Sequence, residues 1–168
     1  MATAPDLGII EAAHAADSDY ILRQYSSRGY QTLSFAAPLA YTGYALARGR
    51  PWSIQQTLRA TWLGGIGGAV AGAGLGWSWA TSNNPERVHK ARVKMAYDHS
   101  SLRMNDHSTI GALLGAMLTP AILLKRARII DLLLGGAGIG SSAGVMVHWW
   151  RSMTEPDPVV PAPATKPV

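Results

Sequence analysis

The most constraining feature of this chain is where its charges are absent. Gly29–Ala47, Ala60–Pro85, His107–Leu124 and Leu132–Trp150 contain no Asp, Glu, Lys or Arg, and all ten acids and fifteen bases lie between these windows or in the tails. Each window matches the roughly 17–25 mainly apolar residues that a helix needs to cross a hydrocarbon core about 30 Å thick. A surface helix of a soluble bundle carries charge along its outward face, and these windows carry none on any face. The mean hydropathy of only +0.06 hides this segregation. The expected fold is all-α: an integral membrane protein with about four transmembrane helices, near residues 30–47, 60–84, 107–124 and 132–150. The windows are rich in Gly and Ala, and the first contains Pro38. Such weak spans are tolerated when neighbouring helices protect the backbone, so packing within a larger assembly is expected.

Around these windows, residues 1–29 form a polar, acidic N-terminal segment, with a short surface helix expected over Ile9–Gln24. Asp6, Glu11, Asp17 and Asp19 precede the first base, Arg23, unlike a secretory signal or an acid-poor transit peptide. Asn83-Asn84-Pro85 predicts a helix start with Asn84 as N-cap and proline at the first helical position. The following residues 86–103 read as a basic surface helix, and 151–168 as a proline-rich extended tail. The connections 48–59 and 125–131 hold Arg48, Arg50, Arg59, Lys125, Arg126 and Arg128 against Asp131 alone; nine bases and nine acids remain for the opposite side. Counting bases in short loops places these two connections in the matrix or cytoplasm and the termini across the membrane.

The stretch GGIGGAVAGAGLG, residues 64–76, has seven glycines in thirteen positions. Gly64, Gly68, Gly72 and Gly76 recur every fourth residue, so on a helix they line one face. Gly136, Gly140 and Gly144 repeat the spacing, and Gly111 and Gly115 take one step of it. Helices in a bilayer gain little from hydrophobicity and associate instead through close backbone approach at small residues. These nine glycines are the expected helix-packing positions.

Catalytic and ligand motifs are weak by comparison. No glycine is followed by lysine, so the phosphate-loop motif is absent, and Gly138-x-Gly140-x-x-Ala143 lacks the strand–turn–helix context of a dinucleotide fingerprint. There is no cysteine, which excludes disulfides and thiolate metal sites. His14, His89, His99, His107 and His148 show no metal-ligand spacing. Ionisable groups deep in a membrane mark ion or proton pathways; the four windows contain no Asp, Glu, Lys or Arg, and His107 and His148 sit at span ends. Ser141 and Ser142 are expected to hydrogen-bond between helices. Tyr20, Tyr25, Tyr30, Trp52, Trp77, Trp79, Trp149 and Trp150 are placed for aromatic belts. Arg87, Lys90, Arg92 and Lys94 of the surface helix, with Lys125, Arg126 and Arg128, are candidate contacts for anionic lipid headgroups. No catalytic residue, metal or organic cofactor is expected, and no nucleic-acid partner; a structural phospholipid such as cardiolipin is the ligand this pattern admits.

Four short spans, a glycine ladder in the second and charged turns resemble the Tim17/Tim22/Tim23 fold family of the mitochondrial inner membrane. Its members include protein-import translocase subunits and accessory subunits of respiratory complex I. That family carries an arginine, three residues and an aspartate ahead of its glycine step; here two residues separate Arg103 from Asp106, before Gly111 and Gly115. The passages DSDYILRQYSSRGYQTLSFAAP and YDHSSLRMNDHSTIGALLGAMLTP, with the ladder, resemble small fungal accessory membrane subunits of complex I. The resemblance implies a multi-pass protein of the mitochondrial inner membrane, with no redox centre of its own. It would stabilise the membrane arm through contacts with other membrane subunits and lipid. A translocase component needs a polar concave face, for which Thr61, Ser78, Ser141 and Ser142 are the candidates. A small-solute transporter needs polar groups at mid-membrane, which are scarce.

Overall fold

The computed structural model describes residues 4–154, with side chains from residue 8 onward, and every regular element in that range is helical: α1 (Ala4–Ala47), α2 (Ile54–Ser82), α3 (Pro85–Ala96), α4 (His99–Leu123) and α5 (Ile129–Thr154). The all-α expectation holds at this level. Residues 155–168, most of the expected proline-rich tail, lie outside the described range.

The boundaries differ from expectation in four places; one is α5, whose run from Ile129 to Thr154 makes residues 151–154 of the expected extended tail helical. The acidic segment and the first window form one continuous helix of 44 residues, about 66 Å long at 1.5 Å per residue. Nothing between Gln24 and Tyr30 breaks it, because Gly29 keeps a helical backbone and packs against α2. The expected surface helix 86–103 is interrupted after Ala96. Asp98 there becomes the N-cap of α4, accepting from the Ser100 backbone N–H at 3.2 Å and the Ser101 hydroxyl at 2.7 Å. An aspartate side chain satisfies helix-start N–H groups best from the cap position, so the chain starts a new helix at His99. The first connection is also shorter than 48–59, since α2 already begins at Ile54.

Each turn has a readable cause. Gly49 has φ of 61°, Arg50 N–H bonds Ala45 C=O and Gly49 N–H bonds Leu46 C=O. This pair of bonds is the Schellman motif, which favours glycine at the left-handed position, and Pro51 then prevents the helix from continuing. At the far end of α2, Asn84 holds the N-cap position of α3, without a side-chain capping hydrogen bond, and Pro85 occupies its first turn.

Two antiparallel hairpins result. α1 packs on α2 and α4 on α5; α5 also lies against α2 and α1, and α3 rests on α1. The Gln55–Asp131 and Trp62–Asp131 hydrogen bonds put the α1–α2 and α4–α5 connections at one end of the bundle. The contacts of Asp17 with His89 and Arg92, and of Arg28 with Ser101, put α3 and the start of α4 at the other. Among the described helices, α5 alone is long and apolar enough to cross a membrane by length and composition. α1, α2 and α4 mix their apolar residues with Gly, Ala, Ser and Thr.

Candidate packing interface and its polar anchors

The glycines lie along two seams. On α2, a methyl group built at Gly68 would overlap the Gly29 carbonyl of α1, one at Gly72 the Tyr25 carbonyl, and one at Gly64 the Ala37 side chain. At Gly76 the nearest atom would be the Tyr25 Cβ, at 3.1 Å. On the second seam, a methyl at Gly111 would meet the Gly140 carbonyl, one at Gly115 the Gly136 carbonyl, and one at Gly144 the His107 carbonyl. Backbone lies directly against backbone along both hairpins. All nine glycines singled out in the sequence therefore sit at helix contacts.

Four further glycines belong to these contacts. Gly29 is the α1 side of the first seam and faces Gly68 and Gly72. It stands alone beside Arg28, outside any ladder, so spacing did not mark it. Gly65 packs against Ser34 and Tyr30 of α1, and Gly135 and Gly138 of α5 meet α2 at the junction between the hairpins. An added Cβ at Gly65 would lie 2.5 Å from the Ser34 hydroxyl, at Gly135 2.8 Å from Leu58, and at Gly138 2.6 Å from Thr61. The doublet Gly135-Gly136 presents glycine to two neighbours at once, Gly135 to α2 and Gly136 to α4.

The interior that these contacts close is small and polar. The buried large aliphatic side chains are Ile21, Leu58, Val88 and Leu132, whereas Asp17, Ser34, Thr61, Ser101, Ser108, Asp131, Ser141 and Ser142 are also buried. Large apolar side chains face outward: Val70 is 68% exposed, Met117 74%, Ile122 76% and Ile130 66%. Ser141 bonds Ser108 across α4 and α5 at 2.6 Å. Ser142 instead bonds the Gly138 carbonyl one turn back on its own helix, so its expected interhelical role is corrected. Its hydroxyl is spent where a helix offers the nearest acceptor.

Two buried carboxylates anchor the ends. Asp131 accepts from the Trp62 indole at 3.0 Å and Gln55 at 3.4 Å. Among the described residues it pairs with neither Arg128 nor the other turn bases, because α5 turns this side chain toward α2. At the other end Asp17 accepts from Arg92 at 2.8 Å and lies 2.7 Å from His89 Nδ1. Arg92 also sits 5.8 Å above the Tyr20 ring, and Lys90 pairs with Glu86. Two of the four α3 headgroup candidates thus have carboxylate partners, while Arg87 and Lys94 are exposed. Lys125, Arg126 and Arg128 are exposed in the α4–α5 connection. Tyr25 and Tyr30, expected in an aromatic belt, pack inward against Gly76 and Gly65 instead. Trp52, Trp77, Trp149 and Trp150 are exposed.

A cavity of about 540 Å³ remains between the hairpins, lined by Tyr30, Gln31, Ser108, Thr109 and Ser141 among others. Gln31 bonds Asn105 at its margin, at 3.1 Å. Of the polar-face candidates, Ser141 lines it, Thr61 and Ser142 are buried in the helix junctions, and Ser78 is exposed. His107 and His148 have ring centroids 5.9 Å apart. Among the described residues, no group of three His, Asp or Glu side chains gathers as a metal site requires. Comparison with protein-family models, curated proteins and solved structures found no match.

Proposed function

We propose that this chain is a four-span, non-catalytic accessory subunit of the membrane arm of mitochondrial NADH:ubiquinone oxidoreductase, in the inner membrane. The supporting observation is the inverted distribution of side chains. Glycine, serine and carboxylates are inside, and large aliphatic and aromatic residues are outside on α1, α2, α4 and α5. Soluble monomers rarely expose contiguous apolar patches beyond a few hundred Å², and a bilayer or neighbouring membrane subunits remove that cost. α2, α4 and α5 have 29, 25 and 26 residues, long enough to span roughly 30 Å. The complex I assignment is supported by the resemblance of residues 17–38 and 97–120. The chain acts by helix packing and lipid contact, and electron transfer belongs to other subunits.

A second reading is a subunit of an inner-membrane protein translocase, whose polypeptide path needs polar lining at membrane depth. Its support is limited to polar residues such as Gln31, Ser108, Thr109 and Ser141 in a cavity that Leu22, Ala69, Ala73 and Ala112 also line. Native electrophoresis in mild detergent, with mass spectrometry of the band, decides between them. Comigration with respiratory-chain subunits is expected. Comigration with import machinery would replace the first reading by the second, and recovery as a detergent-free soluble monomer would overturn both.

A further inference from the structure

The two ends of the bundle carry their charge differently. At the α3 end three bases are paired with acids, Asp17 holding Arg92, Asp19 holding Arg23 and Glu86 holding Lys90, while Arg87 and Lys94 are exposed. At the turn end Arg48, Arg50, Arg59, Lys125, Arg126 and Arg128 are all exposed, and none has a carboxylate within ion-pair distance among the described residues. The one acid in those connections, Asp131, is buried and occupied by the uncharged Trp62 and Gln55. Six positive charges therefore share one end with a single acid, Asp131, which pairs with none of them among the described residues.

We propose that this end is a docking surface for the headgroups of anionic phospholipids. The inference rests on the membrane reading above. Charge complementarity calls for an anion, and the apolar surface beside the bases identifies which kind. Leu46 is 72% exposed and lies two residues before Arg48; Ile130 is 66% exposed and lies two residues after Arg128. A ligand with a phosphate and acyl chains satisfies both surfaces, whereas nucleic acid or a soluble acidic protein would leave the apolar one in water. Trp52, exposed in the same turn, and Arg48, 5.2 Å from the Tyr44 ring, add the amphipathic groups favoured at the headgroup level. Each base close to such a surface contributes about fivefold to binding.

The full chain, with Trp77, Trp79, Trp149 and Trp150 changed to Phe, leaves Trp52 and Trp62 as reporters at the turn end. It is reconstituted into phosphatidylcholine vesicles, and quenching is compared for brominated phosphatidylglycerol and brominated phosphatidylcholine. The expected result is a preference for the anionic lipid of at least about tenfold, weakened by salt. Changing Arg48, Arg50, Lys125, Arg126 and Arg128 to Gln brings the ratio close to one. Changing Arg87, Lys90 and Lys94 to Gln leaves it unchanged, and circular dichroism verifies helix content in both variants. Equal quenching by both lipids in the parent chain, or a ratio lost only in the α3 variant, overturns the proposal while leaving the membrane reading intact. Failure of either lipid to quench, with the protein remaining outside floated vesicles, overturns the membrane reading itself.

Discussion

Gly67 and Gly68 are neighbours in the chain, and their surroundings are opposite. A methyl at Gly68 would strike the Gly29 carbonyl and the Leu33 Cβ, whereas one at Gly67 would meet nothing within 4 Å; Gly74 is equally open. Gly68→Ala must push α1 and α2 apart and is expected to cost about 1–3 kcal/mol. Gly67→Ala and Gly74→Ala are expected to be neutral or to add up to about 1 kcal/mol, since alanine is the better helix former. Thermal unfolding of the detergent-solubilised chain, followed by circular dichroism, checks this contrast. Equal effects at Gly67 and Gly68 would contradict the seam.

The break between α3 and α4 depends on Asp98. The Ser101 hydroxyl is the main influence holding its carboxyl below the usual carboxylate value; desolvation opposes this, and the Ser101 and Ser100 N–H groups and Arg28 assist. A carboxylate with a lower pKa folded than unfolded contributes stability fully above the unfolded value, about 3.9. That contribution disappears as pH falls through the lower folded value. Amide exchange at residues 100–103 should therefore be flat from about pH 5 to 8, after correction for intrinsic rates, and accelerate in acid below about pH 4. In Asp98→Asn the acid step should vanish. At this scale the sequence was partly legible. The α2 ladder was visible because every-fourth spacing is the helix's own period, and Pro51 and Pro85 punctuate the chain whatever surrounds them. The continuity of α1 was hidden because its charged part resembles an independent surface helix. The start of α4 was overlooked, although Asp98 ahead of Ser100 and Ser101 is a recognisable capping pattern. Asp131 could not be read locally, since its donors belong to α2, about seventy residues away, and meet it only after the hairpins dock.

For the whole molecule, the arrangement reverses the usual partition of a globular protein. Burial of large aliphatic groups contributes little to the described interior, and backbone proximity, Ser108–Ser141 and the two buried carboxylates hold it together. The proposed membrane surroundings remove the need for an apolar core, because there the outward leucines and isoleucines need no further covering.

Because each hairpin contains both sides of its own glycine seam, neither needs the other to close. Cleavage of the chain between Tyr97 and Asp98 should thus yield two co-translatable fragments, each inserting as a preformed pair of helices and reuniting through Leu58–Gly135 and Thr61–Gly138. Co-purification of separately tagged fragments 1–97 and 98–168 would reveal modular biogenesis. Recovery of only one, or of two that ignore each other, would mean that the molecule must be threaded as a unit.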